Sequence, residues 1–200
     1  MPNFSEPVNP VGSYDPAYMT NLYGAAFATH WNTCIEGSPT QVGADVLSNC
    51  TGYAQGRMLR IYMEVTGFDP VTAGTHPFIS LNGDAGPDWL VRAAAAGLQI
   101  SAEPREGSVL VTNSHVAVVE KYDENAGLWW ISESGYGDPT PWYYHNSLYQ
   151  SGGIWHDSYA TATEVLGFIL IPGVTPGPGP SPRRRTKWIY YMKNWNIEPY

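Results

Sequence analysis

The sequence predicts a loop-rich α+β domain or a β-rich one, and three observations point there. Trp (8), Tyr (14), Gly (21) and Pro (17) are all plentiful, while only 14% of residues are charged. One run of helical periodicity stands at residues 48–66, and from residue 107 onward the pattern turns strand-like. Apolar residues make up 43% of a 200-residue chain, enough for the core of one ordinary domain.

Taken in order, residues 1–20 read as an extended arm, with prolines at 2, 7, 10 and 16 and no period, and residues 21–47 are small and polar. In the first helix Ser48 is the N-cap, Ala54, Met58, Ile61 and Val65 share one face, and Gly67 is the stop. A loop, 68–86, leads to a short helix from Pro87 to Ala96, closed by Gly97. Strands follow at 107–112, 115–122 and 128–133, the last two joined by the turn Asp123-Glu124-Asn125-Ala126-Gly127, and a late apolar strand runs over 165–171. The aromatic, Gly-rich stretch 134–164 has no assignment. Residues 172–182 have linker composition, and a basic-aromatic segment follows. The domain reading is therefore an arm and lead-in over 1–44, a folded unit over 45–172, and a linker and tail over 173–200.

Charge excludes one class of partner. Residues 1–172 hold only Arg57, Arg60, Arg92, Arg105 and Lys121 against all the carboxylates except Glu198. Phosphate binding needs clustered Lys and Arg, so nucleic acid is not expected as a partner. The tail reverses the sign with Arg183, Arg184, Arg185, Lys187 and Lys193. No apolar run reaches the ~18–20 residues of a membrane span. The first residues lack the basic start and apolar stretch of a secretory signal, so neither a membrane partner nor a signal peptide is expected.

Two cysteines do not make a disulfide framework. Cys50 falls in the first turn of the predicted helix, where unpaired N–H groups and the helix dipole favour a thiolate, the form that attacks carbonyls. Cys34 lies in a loop-like stretch. If Tyr122 and Leu128 close the hairpin, His115 faces Gly135 and Glu133 faces Ala117, so His115 and Glu133 become diagonal neighbours on one face. A carboxylate beside an imidazole fixes its orientation, and an imidazole beside a thiol takes its proton. Each residue alone has an ordinary structural role. A one-residue slip in register would separate His115 from Glu133.

The run Asn49-Cys50-Thr51-Gly52-Tyr53-Ala54-Gln55-Gly56-Arg57 resembles the nucleophile motif of CHAP-domain cysteine amidases and peptidases, found in bacteriophage lysins and tail proteins. Glu106-Gly107-Ser108-Val109 leading into His115-Val116-Ala117-Val118-Val119-Glu120 resembles the family's base-bearing strands, Ile131–Gly137 its third motif, and Gly167-Phe168-Ile169 its closing strand. The resemblance covers roughly residues 45–172. It implies a papain-like α+β fold, with an N-terminal nucleophile helix packed on an antiparallel sheet, and hydrolysis of amide bonds in bacterial peptidoglycan.

Carried over by position, Cys50 is the nucleophile, His115 the general base and then acid, and Glu133 the orienter. The Cys50 N–H would hold the oxyanion with one further donor, for which Asn49 and Gln41 are candidates. Gly135 stands where many relatives carry Asn, beside Tyr136; Trp129, Trp142, Tyr143, Tyr144 and Trp155 are candidates to line a glycan groove, and Trp129 shares the His115 face. Some relatives bind calcium. Here Asp84, Asp88, Asp123 and Glu124 form no dense ligand run, so no metal and no cofactor is expected. His30, His76, His145 and His156 show no zinc spacing. The expected setting is a phage virion, with residues 173–200 contacting other tail proteins. The alternatives are a free endolysin released from the host cytoplasm to the wall, and a non-catalytic structural virion protein keeping the fold.

Overall fold

The computed structural model describes residues 3–5, 50–73, 77–78, 80–81, 85–133, 146–158, 164–175 and 177. Helix α1 runs Cys50–Thr66, α2 is a single turn at Pro70–Ala73, and α3 runs Pro87–Ala95. The strands are β1 Ile100–Ser101, β2 Val109–Val111, β3 Val116–Asp123, β4 Leu128–Ser132, β5 Asn146–Ser151, β6 Ile154–Asp157 and β7 Gly167–Ile169. They form one antiparallel sheet in the order β1-β7-β2-β3-β4-β5-β6. Among the described residues no helix is long and apolar enough to cross a membrane.

Alternation along the strands builds two cores, one on each face of the sheet. Val109 and Val111 of β2, Val116 and Val118 of β3, and Ile169 of β7 meet Tyr53, Met58 and Ile61 of α1 and Trp89 of α3. The helical spacing of Ala54, Met58 and Ile61 brings all three to full burial, and the Gly67 N–H closes the helix on the Met63 carbonyl at 2.9 Å. The opposite parity of the strands, Leu110, Ala117, Val119, Trp129, Ile131, Leu148 and Phe168, forms a second cluster with Val165.

That second cluster is enclosed because the sheet curls until its ends meet. The segment entering β7 bonds to both sides: the Val165 N–H donates to the Trp155 carbonyl and the Leu166 N–H to the Val111 carbonyl, beside a bridge between His156 and Glu164. Strands β5 and β6 are joined by Gly152-Gly153, both at positive φ (58° and 85°), the conformation of a two-residue hairpin turn.

The register of β3 on β4 differs from the expected one at the turn. Leu128 pairs with Asp123, not Tyr122, and Trp129 and Trp130 pair with Tyr122 and Lys121. The reason is the turn's chemistry: the Asp123 carboxylate accepts N–H bonds from Asn125 (2.8 Å) and Ala126 (2.9 Å), and its second oxygen accepts from Trp130 Nε1 (3.2 Å). These bonds, the one from Ala126 foremost, hold its pKa below the ordinary carboxylate value. Asp123 is therefore occupied in shaping the hairpin. A β-bulge at Glu120 then shifts the pairing by one, so that Val119 faces Ile131 and Val118 faces Ser132. Beyond the bulge the register is the one that puts His115 and Glu133 on the same face.

Glu120 is held in place by a buried network. Arg57 of α1 makes a two-pronged ion pair with it, Nε to Oε1 at 3.0 Å and Nη2 to Oε2 at 2.8 Å, with the side chains 2% and 1% exposed. Ser132 of β4 donates its hydroxyl to Glu120 Oε1 at 2.5 Å. The same guanidinium donates to the Ser5 carbonyl and lies 5.6 Å from the Phe4 ring centroid.

Residues 3–5 thus pack on the body. Phe4 is 8% exposed, the Ser5 N–H donates to Glu64, and Asn3 exchanges hydrogen bonds with Gly173 and Thr175. Gly107 is required beneath them: its φ is +75°, and a Cβ there would stand 2.9 Å from Phe4 and 3.0 Å from Val174. The rest of the arm and lead-in, and the tail beyond residue 177, lie outside the described residues.

Candidate active site

Cys50 is the first residue of α1, a free and half-buried thiol packed beside the first core.

His115 sits one residue before β3, at the rim of the curled sheet. The chain there is stitched by Thr112, a residue the sequence reading did not single out. The Thr112 hydroxyl accepts the N–H groups of His115 (2.9 Å) and Ser114 (3.3 Å) and donates to the His115 carbonyl (3.2 Å), while the Thr112 N–H donates to that same carbonyl at 2.9 Å. A polar residue three before a strand-entry His is the signal that marks this turn. Thr112→Val keeps the shape of a fully buried side chain and deletes the hydroxyl, leaving the part-buried N–H groups of Ser114 and His115 without that acceptor. The expected loss is about 1–3 kcal/mol in chemical denaturation, with a fall in any activity that depends on His115.

The imidazole joins the two sides of the sheet. Its Nε2 lies 2.5 Å from Glu133 Oε2, with Glu133 wholly buried and the His115 side chain 16% exposed. The Cys50 thiol is close enough to favour the imidazole's charged form. Burial alone would push the imidazolium proton off. The nearness of Cys50 and the hydrogen bond to Glu133, with their negative charges, outweigh it and raise the pKa from 6.5 to about 10.

The sign of the linkage follows. Between pH 6.5 and about 10 the folded state keeps a proton that the unfolded chain has lost. The stabilisation is thus complete below pH 6.5 and disappears as pH rises through about 10. Denaturation midpoints of the wild type should fall across that window, and His115→Ala should flatten the dependence.

A third carboxylate reaches the same place. Asp157, the last residue of β6, is 1% exposed, and ligand atoms of His115, Glu133 and Asp157 all lie within 4.8 Å of one another. It falls in the stretch 134–164 that the sequence reading left unassigned.

The remaining candidates divide. Trp129 does share the His115 face, but it is 4% exposed and lies in the second core with its ring 5.1 Å from that of Tyr122. The enclosed face is why: curling of the sheet turns that parity inward, so Trp129 is a core residue and offers no groove lining. Trp155 is half-buried and donates Nε1 to Glu103, and His156 stacks on Tyr149. Asn49, Gln41, Gly135 and Tyr136 lie outside the described residues, as do Cys34, His30, His76, His145, Asp84, Trp142, Tyr143 and Tyr144.

Among the described residues, then, the fold assembles a thiol on α1, an imidazole at a strand entry and a buried carboxylate behind it. This arrangement can do nucleophilic acyl transfer. Comparison of the chain with protein-family models, with curated proteins and with solved structures finds no match in any of the three.

Proposed function

We propose that this chain is a cysteine hydrolase of amide bonds in bacterial peptidoglycan, an amidase or endopeptidase working through Cys50, His115 and Glu133. The observation that carries the chemistry is the convergence on one imidazole, which is held by Glu133 behind β4 and lies close enough to Cys50 of α1 for the two to interact. Support for the substrate class is the resemblance of the motifs around Cys50, His115 and Glu133 to CHAP-domain enzymes. The fold that accompanies this reading is papain-like, with the nucleophile helix laid against the sheet that carries the base.

In this mechanism the Cys50 thiolate adds to the amide carbonyl carbon, forming a C–S bond as the carbonyl electron pair moves to oxygen. The Cys50 backbone N–H donates to that oxyanion. His115 then gives its proton to the leaving nitrogen as the C–N bond breaks, releasing an amine and leaving a thioester. Neutral His115 next takes a proton from water as the water oxygen adds to the thioester carbon. Expulsion of the Cys50 thiolate frees the carboxylic acid. Glu133 holds the ring throughout and stabilises its charged form.

Zymography on purified peptidoglycan tests this, with wild type and Cys50→Ala side by side. Clearing by wild type alone is the expected result. Equal clearing by both would remove Cys50 as nucleophile, and no clearing by wild type would favour a structural protein.

The same reading sets the enzyme in a phage virion, with the basic-aromatic tail as its attachment to tail proteins. Because Asn3 bonds to Gly173 and Thr175, and Gly177 donates to Glu106, the informative truncation begins after Gly177. Removal of 178–200 should abolish incorporation into virions while peptidoglycan clearing persists. Unchanged incorporation would contradict the docking role.

A further inference from the structure

Residues 3–5 take no part in the mechanism above, yet they lie on the element that sets its geometry. The Arg57 guanidinium stands over the Phe4 ring, 5.6 Å from its centroid, and Phe4 is 8% exposed. The Ser5 carbonyl accepts from Arg57 Nη2 at 2.5 Å, and the Ser5 N–H donates to Glu64 at 2.7 Å. Asn3 ties the other end, donating to the Gly173 carbonyl at 3.1 Å and accepting the Thr175 N–H at 2.8 Å. The three residues thus form a strap between α1 and the segment after β7.

Beneath the strap, the turn Glu106-Gly107-Ser108 grips β3 on both sides of its bulge. The Gly107 N–H donates to the Val119 carbonyl at 2.7 Å, and the Val119 N–H to the Ser108 carbonyl at 2.8 Å. On the far side the Glu106 carboxylate accepts the Tyr122 N–H at 3.1 Å. Between them Glu120 holds its carboxylate on Arg57 and on the Ser132 hydroxyl. Phe4 and Val174 close over this turn in the space that the missing Gly107 side chain leaves.

A buried ion pair keeps its strength only while water is excluded, because the attraction falls steeply as the local dielectric rises. Phe4 supplies that exclusion, and its ring face attracts the cation. Without it water competes with Glu120 for the guanidinium, and the bulge loses the side-chain anchor that separates it from regular pairing. Regular pairing shifts β4 by one residue beyond the bulge, which turns Glu133 to the face opposite His115.

We propose that Phe4 is a positioning residue of the hydrolytic site, the cover of a strap that keeps Arg57 on Glu120 and so keeps the bulge that brings His115 and Glu133 to one face. It acts through Arg57 and Glu120 and not on substrate. Its catalytic consequence rests on the cysteine-hydrolase reading, but its effect on the register does not.

The test uses the full chain with Phe4→Ala and Phe4→Leu, and two readouts. One is the His115 titration midpoint by NMR of imidazole-labelled protein, and the other is the rate of peptidoglycan hydrolysis. Leucine keeps an apolar cover over the ion pair. It should hold the His115 midpoint within about half a unit of wild type and hydrolysis within about threefold. Alanine should lower the midpoint by about one unit or more and hydrolysis by about tenfold or more. If alanine matches wild type, or lowers only the urea midpoint while the His115 midpoint stays, Phe4 is at most a stabilising contact and the proposal is overturned. If leucine falls as far as alanine, cover of the ion pair is not what Phe4 provides, and the proposal is likewise overturned.

Should the alanine variant fail to fold, Phe4→Val takes its place, with the same fall expected and an unchanged His115 midpoint overturning the proposal. Absence of hydrolysis by wild type would sink the enzymatic reading, while the titration would still decide whether Phe4 sets the register.

Discussion

Replacing Arg57 with alanine is expected to destabilise the fold by about 3–5 kcal/mol, because it leaves Glu120 as an uncompensated buried charge. Both side chains are at most 2% exposed, and the guanidinium meets the carboxylate through two bonds. Glu120→Ala should cost a similar amount by removing the carboxylate that neutralises the buried guanidinium. The double replacement Arg57→Met with Glu120→Leu should recover most of the loss, since a well-packed apolar pair commonly substitutes for a buried ion pair.

The consequence reaches beyond stability. Glu120 is the bulged residue that shifts β3 against β4, and it also accepts the Ser132 hydroxyl next to Glu133. A variant that recovers stability but loses the bulge should lose any contact between His115 and Glu133. Urea titration separates the energetic effect, and the His115 midpoint separates the register effect. A loss below about 1 kcal/mol in Arg57→Ala would mean that water reaches Glu120 and that the network is not buried as described.

The second large effect is on turnover. Cys50→Ala should abolish hydrolysis, and His115→Ala should lower it by about 10³-fold or more. Glu133→Gln should fall between wild type and His115→Ala, because the ring keeps a hydrogen-bond partner but loses the negative charge that holds its proton. Residues acting as one unit do not add, so Cys50→Ala combined with His115→Ala should be no worse than Cys50→Ala alone. The His115 midpoint of Glu133→Gln should drop below about 10, since one of the bonds and charges that raise it is gone.

Local signals account for what was legible in the sequence. The spacing of Ala54, Met58 and Ile61 marked the face α1 buries, Pro87 and Gly97 bracketed α3, and the apolar runs marked β2, β3, β4 and β7. The hairpin joining β3 to β4 shows why register is harder. Pairing Tyr122 with Leu128 was off by one, because Asp123 folds its carboxylate into the turn. The bulge at Glu120 cancels that offset before the strands reach His115, so two departures from ideal pairing bring the site together. Nothing local announces the bulge, since its partner, Arg57, is distant in sequence and on another element.

Strands β5 and β6 were missed although Gly152-Gly153 between Ser151 and Ile154 is a hairpin signal; the aromatic surroundings masked the alternation. Asp157 followed from that omission, as its approach to His115 depends on closure of the whole sheet. The same closure explains Trp129, whose parity was legible but whose face turned out to be enclosed. Phe4 is similar: in the sequence it is one aromatic in a proline-rich arm, and only Gly107 and Arg57 supply its seat.

The central claim, that Cys50, His115 and Glu133 form one hydrolytic unit, is tested most directly by mass spectrometry of purified peptidoglycan after digestion. Wild type should release fragments bearing a new amine and a new carboxylic acid, and the identity of the cut bond would separate amidase from endopeptidase. Cys50→Ala should release none of them. Identical products from both proteins, or no products from the wild type, would contradict the account.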